Sequence, residues 1–184
     1  GHRRGGSVQT LRAAGAFEVI ALPRVLDADG APISSTRVRE LIAAGQLEQA
    51  RALLGEPYPW AGVVVRGDGR GRGLGYPTAN LAPIEPLLTP PEGVYACWAQ
   101  LGAEAYPAAV SVGAPPMFQN ARGRIEAYLI GLPDHDLYGR MLTLRFLQRL
   151  RPQQKFESID ALRQQMAHDV ERARQIAEEV QSPR

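Results

Sequence analysis

The chain has 184 residues, 45% hydrophobic and 22% charged, with a net charge of +2. This is ordinary for a soluble globular domain with an appendage, and a charge so close to neutral makes no case for general nucleic-acid binding. No apolar run approaches the roughly 20 residues of a membrane helix, and Cys97, the only cysteine, excludes an internal disulfide and fits a reducing cytoplasm.

The chain opens Gly-His-Arg-Arg-Gly-Gly, without an initiator methionine or the apolar core of a signal peptide, as a fragment or processed chain would. Residues 7–14 read as a short helix and residues 17–22 as a buried strand. Ser34 or Ser35 then caps a helix with Val38, Leu41 and Ile42 inward and Gly45 as its stop. A second helix over 47–54 ends at Gly55. Strand followed by helix is α/β logic, and it sets residues 1–57 apart from 58–184.

From Trp60 onward the pattern is β. Strands are expected over 61–65, 93–101, 107–112, 124–130 and 140–150, separated by Pro, Gly and Asp turns. Short strands of this kind suggest a mainly β fold, a small closed or half-closed antiparallel barrel of Greek-key type. Tyr95 and Trp98 read as core or wall packing, and Cys97 as core. A final helix starts at the N-cap Ser158. Ile159, Leu162, Met166, Val170, Ala173 and Ile176 follow 3–4 spacing and give it one face to bury against the barrel. The three histidines, His2, His135 and His168, are isolated.

The chemistry concentrates in residues 67–80, Gly-Asp-Gly-Arg-Gly-Arg-Gly-Leu-Gly-Tyr-Pro-Thr-Ala-Asn. Its glycines let backbone N–H groups approach an anion, and its arginines suit phosphate oxygens. Thr78 and Asn80, two apart in an extended segment, present a hydroxyl and a carboxamide on one side, a pair able to hold a hard cation. Arg66, Arg70 and Arg72 could contact nucleotide phosphates or form a solvated basic loop. RNA contact is disfavoured because no aromatic residue is interleaved for stacking. Glu126 is the one charged residue of Ile-Glu-Ala-Tyr-Leu-Ile. Its carboxylate either faces solvent or is placed for work.

The Gly-rich loop followed by Pro-Thr-Ala-Asn resembles the signature of the riboflavin kinases. It is not a Walker A loop, which needs Lys before Ser or Thr, and the only lysine is Lys155. The Gly-Val-Tyr strand start at 93–95, the Asp-Leu-Tyr-Gly turn at 136–139, and Leu150-Arg151-Pro152 with Phe156 and Ser158 extend the resemblance over about 57–174. The resemblance implies ATP-dependent phosphorylation of riboflavin at its ribityl 5′-hydroxyl to give FMN. It makes Glu126 the catalytic base and puts Thr78 and Asn80 at the Mg2+ of Mg-ATP. It assigns Arg66, Gly69, Arg70, Gly71, Arg72 and Gly75 to nucleotide binding. One segment departs from the family pattern: Pro115 and Met117 stand where polar residues are usual, while Phe118 is kept. That departure motivates an alternative, a non-catalytic flavin- or nucleotide-binding module.

Ser34-Ser35-Thr36 with Arg39 resembles the second ATP motif of nucleotidyltransferases related to FMN adenylyltransferase, which precede riboflavin kinase in bacterial bifunctional FAD synthetases. The first motif of that family, His-x-Gly-His, is absent. Residues 1–57 are therefore expected to be the C-terminal remnant of such a domain, residues 34–39 a capped helix, and FAD synthesis is not expected. The half-domain would leave apolar residues at 17–22 poorly ordered, packed on the barrel, or paired with a second copy.

Overall fold

The computed structural model describes residues 7–15, 17–67, 69–84, 88–113, 125–133 and 136–180, with Arg70 described by its backbone alone. The contacts divide the chain into two compact units, Gly1–Ile33 and Ser34–Arg184.

In the first unit helix α1 spans Val8–Ala13. Its start is closed by a capping box, in which Ser7 Oγ accepts from Thr10 N and Thr10 Oγ1 accepts from Ser7 N. The strand expected over 17–22 is not formed, and Phe17, Ile20 and Leu22 are exposed. A strand needs a neighbour to take its N–H and C=O groups, and the only pairing in the described part of this unit is the bridge Leu26–Pro32. That bridge closes a turn in which Asp27 Oδ1 accepts from Asp29 N and Ala31 N.

The second unit begins with α2 (Ser35–Ala43) and α3 (Leu47–Leu54). Ser34 caps α2 by accepting from Arg37 N at 3.2 Å. Gly45, at φ 74°, lets the chain leave α2. Leu47, with 0% exposure, enters the barrel core, and Glu56 pairs with Arg145 of the barrel.

Six strands follow: β1 (Tyr58–Val65), β2 (Ala79–Pro83), β3 (Gly93–Leu101), β4 (Glu104–Val112), β5 (Ile125–Leu129) and β6 (Met141–Arg151). They close into an antiparallel barrel in the order β1-β2-β5-β4-β3-β6. β3, β4 and β5 are neighbours in sequence order and β6 lies beside β3, the expected Greek-key arrangement. The barrel is filled by alternate side chains of each strand, among them Trp60, Tyr95, Cys97, Val110, Ile125 and Phe146. Of the expected strands, those over 61–65 and 107–112 are longer, the one over 124–130 is shorter and the one over 140–150 is shifted by one residue, and β2 was not expected as a strand. The short turn α4 (Arg70–Gly73) was likewise unanticipated.

Helix α5 spans Ile159–Glu179 and starts as expected, with Ser158 Oγ accepting from Ala161 N. Leu147, next to the inward Phe146 and at one of two register shifts between β3 and β6, faces out of the barrel. Leu147, Ala96 and Ile130 meet Ala173, Ile176 and Ala177 there, and Trp98 Nε1 donates to Val180 O at 3.0 Å. Only this second half of α5 packs tightly. Ile159, expected on the buried face, is 67% exposed, because the first half stands away from the barrel wall and borders an open space.

Candidate active site

That space is a cavity of about 780 Å3 between the outer barrel wall and the first half of α5. Its floor follows from strand register. Asn80 on β2 faces Glu126 on β5, which faces Ser111 on β4; Ser111 faces Val94 on β3, and Val94 faces Arg151 on β6. Directly paired residues of antiparallel strands project to the same side. Their neighbours Leu81, Ile125 and Val112 fill the barrel, so this row points outward into the cavity. Period-2 alternation thus separates an apolar interior from a row crossing five strands that is polar except at Val94.

At one end of the row, Thr78 Oγ1 donates to Glu126 Oε2 at 3.4 Å, a long contact for a hydroxyl donor. Asn80 is 7% exposed, and its Oδ1 is buried with no donor among the described residues. A buried acceptor without a partner is costly. Here it lies beside a hydroxyl and a carboxylate, an oxygen-donor set that fits a hard cation sharing its other positions with phosphate oxygens. Among the described residues there is no group of three or more His, Cys, Asp or Glu side chains able to hold a metal by themselves.

The Gly-rich loop borders the same end. A Cβ at Gly71 would lie 2.3 Å from the Tyr76 carbonyl oxygen and 3.0 Å from Thr78 Oγ1, so the turn closes on Thr78 only without a side chain at 71. Gly69 has φ 67°, the left-handed conformation that favours glycine. Of the residues singled out in the sequence, Gly69, Gly71, Thr78, Asn80 and Glu126 line the cavity together. Arg66, Arg72 and Gly75 are not on its wall. Arg66 instead stands over the Tyr138 ring at 5.6 Å, joining the loop to the Asp-Leu-Tyr-Gly turn. Leu137 of that turn packs on the barrel core. The Arg70 side chain and Pro115, Met117 and Phe118 lie outside the described residues.

The sequence reading missed the other walls. Tyr76 and Tyr128 meet edge to face at 5.3 Å, and both line the cavity. Tyr128 is two residues from Glu126, so its place on the same face was available from period 2 alone. Leu162, Met166 and Val170 form the apolar roof. Ser111 and Gln153 join across the floor, with Gln153 Nε2 donating to Ser111 Oγ at 2.8 Å and to Val112 O at 3.1 Å. Cys97 takes no part: it faces the barrel interior, and burial pushes its thiol well above the usual range.

Fold and site define a closed barrel with a ligand cavity that has a largely polar floor of strand residues and an apolar roof from α5. The family model for riboflavin kinase matches residues 54–177. The bifunctional riboflavin kinase/FMN adenylyltransferase of Bacillus subtilis is 35% identical over 143 residues, 77% of this chain and 45% of that protein. The protein of the same description from Escherichia coli K12 is 38% identical over 148 residues, 80% of this chain and 47% of that protein. A solved riboflavin kinase from Trypanosoma brucei superposes with a TM-score of 0.51 at 25% identity, covering 68% of this chain and 82% of that one. A Streptococcus pneumoniae structure described as a macrolide-efflux protein superposes with a TM-score of 0.82 at 37% identity, covering 92% of this chain and 55% of that one. This chain belongs to the riboflavin kinase family. It spans about half the length of the curated relatives it matches.

Proposed function

We propose that the chain transfers the γ-phosphoryl group of ATP to the ribityl 5′-hydroxyl of riboflavin, giving FMN and ADP. The observation that carries this reading is the meeting of Glu126 with Thr78 and Asn80 on one cavity wall, from two strands that pair only through the barrel. Phosphoryl transfer needs held phosphates, neutralised charge and a group that orients and deprotonates the acceptor. Glu126 takes the 5′-hydroxyl proton. A bond forms between that oxygen and the γ-phosphorus while the bond to the β,γ-bridging oxygen breaks. Thr78 and Asn80 would hold Mg2+, which supplies charge neutralisation at the phosphates when bound. The loop carrying Arg66, Gly69, Arg70, Gly71, Arg72 and Gly75 cradles ATP. The flavin ring lies against Tyr128 and the apolar roof of α5.

Residues 1–57 are read as the C-terminal part of an adenylyltransferase domain. The E. coli similarity, at 80% of the chain, reaches beyond the region matched by the kinase family model. The residues present contain no His-x-Gly-His, so FMN and not FAD is the product assigned to this chain. Association of two copies through the exposed Phe17, Ile20 and Leu22 would show as a doubled mass in light scattering. The single buried thiol fits a cytoplasmic setting, and among the described residues no helix is long and apolar enough to cross a membrane.

The deciding experiment incubates the chain with riboflavin, ATP and Mg2+ and separates FMN from FAD by chromatography. FMN without FAD is expected. Neither product, together with tight riboflavin binding, would replace this reading with the non-catalytic binding module.

A further inference from the structure

A charged cluster in the cavity wall plays no part in phosphoryl transfer as just described. Arg151, the last residue of β6, donates from Nε to Asp169 Oδ1 and Oδ2 at 3.1 and 3.0 Å, and from Nη2 to Oδ2 at 2.7 Å. Gln165, one turn earlier on α5, donates to Asp169 Oδ1 at 2.8 Å. Arg151 Nη1 also donates to Pro152 O, and its guanidinium stands 5.7 Å from the Phe156 ring centroid. Asp169 is 5% exposed.

Burying such a pair costs desolvation, and apolar residues of similar volume often stabilise a fold as well. Net stability therefore gives little reason for an ion pair at this point. Its geometry gives a better one. A forked guanidinium on a carboxylate fixes angle as well as distance. The pair ties β6 to α5 at the level where the helix leaves the barrel. Beyond it, Ala173, Ile176 and Ala177 pack against the wall; before it, Leu162 and Met166 face the open cavity. The bonds from Gln153 to Ser111 and Val112 pin the chain again just after Arg151. Residues 153–158 then border the cavity between this anchor and the capped start of α5.

We infer that Arg151 and Asp169 are positioning residues for the phosphoryl acceptor, holding the roof of α5 at the separation from the barrel wall that admits a flat aromatic ring. Neither acts on the transferred phosphoryl group. The inference rests on the kinase reading above and adds a division of labour within it, with the Thr78–Asn80–Glu126 end serving turnover and the Arg151–Asp169 end serving acceptor affinity.

The test uses Asp169→Asn, which keeps the side-chain shape and the Gln165 bond, and Arg151→Lys, which keeps the charge and loses the fork. Each is assayed with riboflavin and ATP varied separately, and riboflavin binding is titrated by flavin fluorescence without ATP. Thermal melts establish that each variant is folded at the assay temperature. Both variants should raise KM and Kd for riboflavin on the order of tenfold, the scale expected when a positioning wall shifts. KM for ATP and kcat at saturating riboflavin should stay within about twofold of the parent. Unchanged riboflavin affinity in folded variants overturns the inference, as does a fall in kcat with KM unchanged. If neither variant folds, the cluster serves folding and the inference fails. A parent chain that binds riboflavin without phosphorylating it sinks the kinase reading alone, since the titration still tests the positioning role.

Discussion

Gly67 and Asn80 occupy one space: a Cβ at Gly67 would lie 2.1 Å from Asn80 Nδ2 and 2.6 Å from Oδ1. Asn80 is buried, so its carboxamide has little room to move aside. Gly67→Ala should therefore act through Asn80. Overpacking of this kind costs about 1–3 kcal/mol, and a displaced site group costs ~10²-fold in turnover. The double variant Gly67→Ala/Asn80→Ala removes the clash. Its melting temperature should recover toward that of Asn80→Ala while turnover stays low. A Gly67→Ala chain with parental turnover would show that the Asn80 carboxamide is not needed where it stands.

Glu126 is the carboxylate within reach of Thr78 on the cavity floor. Glu126→Gln keeps its size and removes its ability to take a proton. Turnover should fall by about 10²–10⁴-fold, the usual contribution of a general base. Riboflavin affinity should change little, since the flat ring is assigned to Tyr128 and the roof of α5. Fluorescence titration and FMN production measured on the same sample separate the two effects. Retained turnover would remove Glu126 from the reaction.

The parts of the fold that were legible in the sequence are those set by near neighbours. Ser34 and Ser158 cap their helices through residues three further on, and Gly45 and Gly55 end theirs with a local left-handed turn. β3 carries a nearly continuous apolar run, and the first half of β6 carries its own apolar alternation. β2 does not: Ala-Asn-Leu-Ala-Pro is a strand because Asn80 pairs with Val65 on one side and Glu126 on the other. The strand expected over residues 17–22 failed for the converse reason, as apolar residues without a pairing partner form no strand. At the site, period 2 puts Glu126 on the face opposite Ile125, but whether that face is solvent or cavity depends on α5, which arrives much later in the chain. Arg151 belonged to the Leu-Arg-Pro resemblance, but its pairing with Asp169 left no sequence signal, because register and helix packing bring the two together.

Tyr95 carries a pH dependence that separates barrel stability from catalysis. Its ring, with 0% exposure, packs edge to face on Phe146 inside the barrel, and its hydroxyl donates to Pro91 O at 2.5 Å. Burial raises its pKa from 10.0 to about 12, with the charge of Arg149 opposing the rise and Cys97 adding to it. The folded state thus favours the protonated phenol. The stabilisation is fully present below the unfolded value near 10 and is lost as pH climbs from there toward 12. Two pKa units correspond to at most about 3 kcal/mol. Tyr95→Phe loses the hydrogen bond, at a cost of about 1 kcal/mol near neutral pH, but has no phenol to ionise. Urea melts between pH 8 and 11 should therefore show the parent losing stability faster than the variant, with the gap between them closing as pH rises. Tyr58 and Tyr106 also have raised values, but they are common to both chains and cancel in the difference. Parallel stability curves for the two chains across this range would show that Tyr95 ionises in the barrel as freely as it does in the unfolded chain.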